Sequence, residues 1–224
     1  MTPNILYEDN HLLVINKPAG LLAQADATGD QDVLTVCKRY LKEKYAKPGE
    51  VFLGLVHRLD RPATGVMVLA RTSKAAARLS EQIRRRLITK TYWILLARSL
   101  NEVSGIYEDF LLKHGNKVHV VPPTTKGAQF ARLGWKSIQQ QNGYTLVEVS
   151  LETGRPHQIR VQFASRGKPV MGDVKYGAKT ALVDRSIALH CREMSFKHPT
   201  QDKVITVIAP PPPLWNNLNL ETPT

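Results

Sequence analysis

The chain has 224 residues, with 31 Lys and Arg against 19 Asp and Glu and a formal net charge of +12. That length suits one large domain or two small ones, and the basic excess favours an anionic partner, either nucleic acid or a membrane surface. No apolar run approaches the roughly 18 residues that span a bilayer, and neither end carries a lipidation signal. The opening "MTPNILYEDNHLLVINKPAG" lacks the basic-then-apolar order of a secretory leader, so nucleic acid is the expected partner and a membrane is not.

In chain order, "ILYEDNHLLVINKPAG" reads as two short strands about an Asp-Asn turn, stopped by Lys17-Pro18 and Gly20. From Asp32, helical spacing puts Val33, Val36, Cys37, Tyr40 and Leu41 on one face, with Pro48-Gly49 closing the element. "VFLGLV" and "VMVLA" look like buried strands on either side of "HRLDRPATG", His57 to Gly65. "TSKAAARLSEQIRRRL" is the clearest helix, capped by Thr72 or Ser73 and striped by Ala76, Leu79, Ile83 and Leu87. Beyond Thr89 the pattern turns to strands: "KTYWILLAR", "KVHVV", "AQFARLGWKSI" and "YTLVEVSLE". "PHQIRVQFASRG" reads as a helix with Pro156 in its first turn and Gly167 past its end. "SIALHCREMSF" and "KVITVIA" read as closing strands, and the Pro-rich stretch from 210 to 224 as a poorly ordered tail. Strands outnumber helices without a regular βαβ rhythm, which predicts an α+β fold on a mixed, mostly antiparallel sheet, a single domain over residues 1–209.

Three stretches carry candidate chemistry. In "HRLDRPATG", Asp60 stands between Arg58 and Arg61, and an extended backbone puts Val56, Arg58 and Asp60 on one face. A neighbouring cation keeps such a carboxylate ionised where desolvation alone would neutralise it, and an ionised carboxylate in a water-poor cleft acts as nucleophile, base or electrostatic stabiliser. A plain surface ion pair in a turn is the alternative. "GRPHQIR" offers His157 and the guanidinium forks of Arg155 and Arg160, which suit carboxylate or phosphate, or else a solvated helix start. Arg84, Arg85, Arg86 and Lys90 form a basic run that adjoins Tyr92, and basic side chains beside an aromatic that stacks on a base are what extruded or single-stranded nucleotides require. His57 and His157 have no companion ligand at metal-like spacing, so no metal is expected. Cys37 and Cys191, far apart and outside any CxxC pattern, read as reduced thiols of a cytoplasmic protein.

Taken as an ordered set, "HRLDRPATGVMVLART", "KTYWILL" and "GRPHQIRVQFASRGKPVMGDVKYG" resemble the motifs of the RluA-type pseudouridine synthases, with "ILYEDNHLLVINKPAGL" like that family's opening and "LHCREMSFKHP" like its closing strand. The resemblance runs from about Ile5 to about Ala209. It implies isomerisation of a uridine within ribosomal or transfer RNA, by breaking the bond from C1′ to N1 and rejoining the uracil through C5, without cofactor or metal. It implies that Asp60 is the catalytic aspartate, that Tyr92 lies against the target base and assists proton removal at C5, and that Arg160 pairs with the aspartate. Arg58 falls where the family touches RNA, and Arg61, Arg84, Arg85, Arg86, Lys90, Arg155 and His157 complete the expected RNA contacts. A single candidate acid sets the chain apart from hydrolytic glycosidases, which use two carboxylates and a water. The family's usual Thr-Ser-Gly is replaced by Ala63, Thr64 and Gly65, and Gln162 stands where histidine is common, altering either packing or an RNA contact. The chain begins almost at the catalytic opening, with no S4 domain before it, so it is expected to select RNA with the catalytic domain alone or with help; a monomer is the default expectation. A silent RNA-binding protein on the same scaffold is the competing reading.

Overall fold

The computed structural model describes residues 2–218. Within it, the first hairpin forms as the sequence predicts: β1 (Asn4–Glu8) and β2 (Leu12–Lys17) are antiparallel, and the Asp9 carboxylate closes their turn by accepting from the His11 and Leu12 amides at 2.7 and 2.8 Å. The chain divides into two compact units, Met1–Lys90 with Cys191–Pro211 and Thr91–His190 with Pro212–Thr224, where one domain ending at residue 209 is expected. Strand outweighs helix, 38% against 17%, in keeping with the α+β expectation.

In the first unit β2 pairs with β4 (Thr64–Ala70), every residue of which is buried. The order continues β1–β2–β4–β10, with β3 (Gly54–Leu55) on β4 and β11 (Val204–Ile208) on β10 (Leu189–Lys197). The "VFLGLV" run yields only the two-residue β3 and leaves Phe52 half exposed, because its central glycine and the turn chemistry after it curtail the strand. Helix α1 (Val33–Lys44) is capped by Asp32 and buries Val33, Val36, Cys37 and Leu41. Helix α2 (Ser73–Arg84) is capped by Thr72, whose oxygen accepts from the Ala75 amide. Its buried residues are Ala75 and Leu79, not the full predicted stripe. Leu87 is 56% exposed because the helix ends before it, at a turn where Arg86 takes φ +57° and the Leu87 amide reaches back to the Gln82 carbonyl.

The second unit is an antiparallel sheet with strand order β5–β9–β8–β6–β7, from β5 (Thr89–Leu96), β9 (Tyr144–Leu151), β8 (Gln129–Gln141), β6 (Ser104–His114) and β7 (Lys117–Val121). Strand β6 has no counterpart among the predicted elements, since Glu108 and Asp109 interrupt its apolar pattern while Tyr107 and Leu111 still face inward. Helix α3 (Gln158–Ala164) lies on the inner face, where Phe163 packs edge-on to Tyr107 and near Trp135. It starts two residues later than predicted: Pro156 precedes the helix, and His157 at its N-cap adopts φ +52°. Gly167 at φ +67° stops it as expected. The Pro-rich tail is expected to be poorly ordered, yet Pro213–Leu218 form a 3-10 helix and Trp215 is only 2% exposed, its ring 5.9 Å from that of His190. Residues 219–224 lie outside the described residues. Among the described residues no helix is long and apolar enough to cross a membrane.

Gly65 enters β4 at φ +114°, and a Cβ there would lie 2.3 Å from the Cys191 carbonyl oxygen. Neither the backbone conformation nor the neighbouring strand tolerates a side chain. Gly65→Ala should therefore cost about 3 kcal/mol or more, read as a large drop in thermal midpoint; a midpoint within a degree of the parent would contradict this account.

Candidate active site

The HRLD segment sits between β3 and β4 without regular secondary structure. Leu59 is buried, His57 and Asp60 are half-buried, and Arg58 is exposed, so burial does not sort the stretch into the two faces expected of an extended backbone. The turn at Arg61-Pro62 is closed by the Ala63 amide donating to the Asp60 carbonyl at 3.0 Å.

What fixes this turn is Lys17, which in the sequence looks only like the end of a strand. Lys17 follows Leu13 and Ile15 on one face of β2, so alternation carries its side chain into the unit's interior, where it is fully buried. Its ammonium donates to three backbone carbonyls, those of Pro18 at 2.9 Å, Arg61 at 3.2 Å and Ala63 at 2.9 Å. Three donors meet three acceptors, the condition under which a buried cation is tolerated. Burial pulls the Lys17 pKa from 10.5 down to about 7; the Asp60 charge opposes that fall and the Arg61 charge adds to it. Lys17 thus ties the turn that follows Asp60 to the end of β2 and couples electrostatically to the carboxylate itself. The signal was available: a lysine in phase with the apolar face of a buried strand.

Arg61 adds a second tie. Its Nε donates to the Gly20 carbonyl at 3.0 Å, the Gly20 amide donates to the Arg61 carbonyl at 2.9 Å, and its Nη2 lies 2.7 Å from Asp30 Oδ2. The ion pair is half exposed on both sides and contributes little by itself. On the other side of the segment, His57 Nε2 accepts the Val68 amide at 2.9 Å, which leaves the ring proton on Nδ1, a buried atom with no partner among the described residues. Burial, helped by the Lys90 charge, pushes the His57 pKa down to about 3. A neutral ring serving a backbone amide is a structural histidine.

The other candidates lie in or beside the second unit. Tyr92, on β5, is 7% exposed. Arg160, on α3, is buried and pairs side-on with the equally buried Asp173, Nε to Oδ2 at 2.7 Å and Nη2 to Oδ1 at 2.8 Å. Its guanidinium also lies over the Tyr176 ring, 4.9 Å from the centroid. Arg155 is half-buried and donates through Nε to the Phe130 carbonyl at 2.9 Å. His157 is half-buried with Nδ1 2.7 Å from the Tyr176 hydroxyl. In the first unit, Arg84, Arg85 and Arg86 are all exposed about the end of α2, with Arg84 also 2.8 Å from Glu81. Lys90 is half-buried, and desolvation lowers its pKa. Asp173 and Tyr176 stand inside the third motif, but nothing in their spacing gives them a role. Among the described residues no group of His, Cys, Asp and Glu is placed to hold a metal. Both cysteines are buried and outside any disulfide, and burial raises the Cys37 thiol to about 12.

Residues 11–165 match the sequence profile of the family described as RNA pseudouridylate synthase. An uncharacterized RNA pseudouridine synthase of Bacillus subtilis is 35% identical over 221 residues, covering 96% of this chain and 70% of the relative. A second, from Synechocystis, is 33% identical with 96% and 67% covered. Ribosomal large subunit pseudouridine synthase C of Buchnera aphidicola is 34% identical with 92% and 67% covered. The chain thus spans about two thirds of the length of these relatives. The solved structure of human RNA pseudouridylate synthase domain containing 4 superposes with a TM-score of 0.81 at 27% identity, covering 99% of this chain and 95% of that one.

Because the folded chain holds Lys17 at about 7 and an unfolded lysine titrates near 10.5, the unfolded state binds the extra proton between those values and stability rises with pH across that window, by an amount on the order of a few kcal/mol. Lys17→Met removes the titrating group. Denaturant unfolding of both proteins at about pH 7 and about pH 9.5 should show the parent gaining on the variant at the higher pH; a constant difference would refute the buried titration.

Proposed function

The chain belongs to the RNA pseudouridylate synthase family, and from that premise we propose that it isomerises a particular uridine of ribosomal or transfer RNA with Asp60 as the reacting carboxylate. The enzyme class follows from the family; the RNA and the residue roles are our reading. The observation that carries it is the position of Asp60: the only acid in the matched HRLD motif, in a turn whose following carbonyls are bound by a fully buried lysine.

The reaction is balanced within the nucleotide. The bond from C1′ to N1 breaks, a bond from C1′ to C5 forms, the proton lost from C5 is matched by one gained at N1, and no oxidant or water is consumed. Attack on the sugar and proton removal at C2′ both require an ionised carboxylate. We assign Tyr92 to the face of the target base and to proton removal at C5, and Arg160 to holding the aspartate charged, on the strength of their motif positions. Extruding a stacked base costs a few kcal/mol, and the exposed Arg58, Arg61, Arg84, Arg85 and Arg86 supply backbone affinity against it, with Lys90, Arg155 and His157 half-buried. The thiols, outside any disulfide, support a reducing, cytoplasmic setting, and we propose that the protein acts as a monomer.

Asp60→Ala should abolish pseudouridine formation, mapped chemically on cellular RNA, while its thermal midpoint stays within a few degrees of the parent. Retained product would remove Asp60 from the chemistry, and salt-dependent RNA binding by the parent with no product from any cellular RNA would leave a silent binding protein. Arg85→Ala combined with Arg86→Ala should flatten the dependence of log affinity on log salt by about 0.7 for each phosphate that the pair neutralises; an unaltered slope would take the end of α2 out of the interface.

A further inference from the structure

The surroundings of Arg160 are more elaborate than burial of a cation requires. Asp173 suffices to balance its charge, through two hydrogen bonds along one edge of the guanidinium. Yet the same short turn, Val174–Tyr176, also returns an aromatic ring to its face. The turn begins at Gly172, φ +82°, where a Cβ would meet Leu182 at 2.7 Å and the Ser186 carbonyl at 2.8 Å, so the path that delivers Asp173 excludes a side chain.

Tyr176 is itself held at its far end. Its hydroxyl accepts the Val118 amide of β7 at 2.9 Å and lies 2.7 Å from His157 Nδ1. With the hydroxyl oxygen accepting from Val118, its proton points to Nδ1, so His157 is the acceptor and its own proton is on Nε2. His157 caps the helix that carries Arg160 three residues later, in a left-handed conformation without a side-chain cap bond. Such a conformation persists in a non-glycine residue only where its surroundings enforce it; here the bond to Tyr176 does so. The ring closes on itself: Arg160 lies on Tyr176, Tyr176 bonds His157, and His157 starts the helix bearing Arg160.

We propose that Asp173 and Tyr176 are positioning residues for the isomerisation: by fixing one edge and one face of the Arg160 guanidinium, they present the rest of the fork in a single orientation. The proposal rests on the reading of Arg160 as partner of the reacting carboxylate. Because the Arg160–Asp173 pair is neutral as a whole, what it offers a second anion is aimed hydrogen bonds more than net charge, and aim is lost when the frame loosens.

The test is a double-mutant cycle on RNA turnover with the full chain. Asp173→Asn and Tyr176→Phe should each lower kcat about tenfold with KM within about twofold, since both act through Arg160 and not on the RNA. In an Arg160→Lys background, which loses the planar fork, each should have little further effect. Unchanged kcat in both single variants, or effects that simply multiply with that of Arg160→Lys, would overturn the proposal. Should Asp173→Asn fail to fold, having stranded a buried cation, Tyr176→Phe decides alone, as it keeps the ring and removes only the hydroxyl. If Arg160→Lys itself turns over at the parental rate, the role given to Arg160 has failed, and that outcome is separate from one in which Arg160 matters and its neighbours do not.

Discussion

The placement of Asp60 depends on a cation that is fully buried. A lysine ammonium taken from water into a protein interior loses several kcal/mol of hydration, and the first unit offsets that loss with three carbonyl oxygens, two from one short stretch of chain and one from the residue next to Lys17 itself. The arrangement works in both directions. The carbonyls of Arg61 and Ala63 would point into an apolar interior without the ammonium, and the ammonium would have too few acceptors if the turn moved. Each makes the other tolerable, so the turn after Asp60 has one low-energy conformation. In the role proposed for Asp60, meeting one atom of an extruded nucleotide, a backbone with so little choice is an advantage.

The same matching recurs at other charged groups drawn out of solvent. Arg160 is matched by Asp173 in the second unit. In the first, Asp9 accepts from Tyr7, from two backbone amides and from His198, whose other ring nitrogen accepts the Thr200 and Gln201 amides. Glu8 gathers Tyr40, Lys44, Tyr45 and Arg71 about a carboxylate that is 9% exposed. Desolvation acts to raise its pKa, yet the donors around it outweigh that and leave it below the usual carboxylate value. None of these clusters needs to be a strong stabiliser relative to an apolar replacement. What they supply is geometry, since a buried polar group with all its bonds made has one acceptable position while an apolar one has several.

Sequence periodicity was a good guide where a single face decides burial. Helices α1 and α2 begin at the caps their sequences name, and the alternating strands of the second unit appear where alternation is clean. It failed where two requirements collide. Strand β6 went unrecognised because Asp109 is drawn inward by Arg166 and Gln162 and so breaks the apolar pattern from within. The start of α3 was misplaced because Pro156 suits a first turn equally well whether or not His157 is bonded to a tyrosine 19 residues away. The stripe on α2 overran its end because the stop is an arginine in a left-handed conformation, a role for which glycine is the usual marker. Of the site itself, the motif residues were legible and their supports were not. Asp173 and Tyr176 act through residues far from them in the chain, and for Lys17 the one local signal was its phase with the buried Leu13 and Ile15 of β2.

This division explains why the departures from the family pattern are tolerable. Ala63 replaces a threonine, but the bonds that hold its turn run through its backbone: its amide donates to the Asp60 carbonyl and its carbonyl accepts from Lys17. With the residue 1% exposed, a hydroxyl there would need a buried partner of its own, and alanine removes that need without disturbing either bond. Gln162 is fully buried, its amide nitrogen 2.7 Å from Asp109 and within 3.4 Å of two backbone carbonyls. Between the two effects expected of it, it therefore belongs to packing and not to the RNA surface. Residues that set the turn through their backbones are free to change their side chains, whereas Lys17, which sets it through its side chain, is not: no other residue type carries three donors on a single terminal atom at the end of a stem long enough to reach those carbonyls.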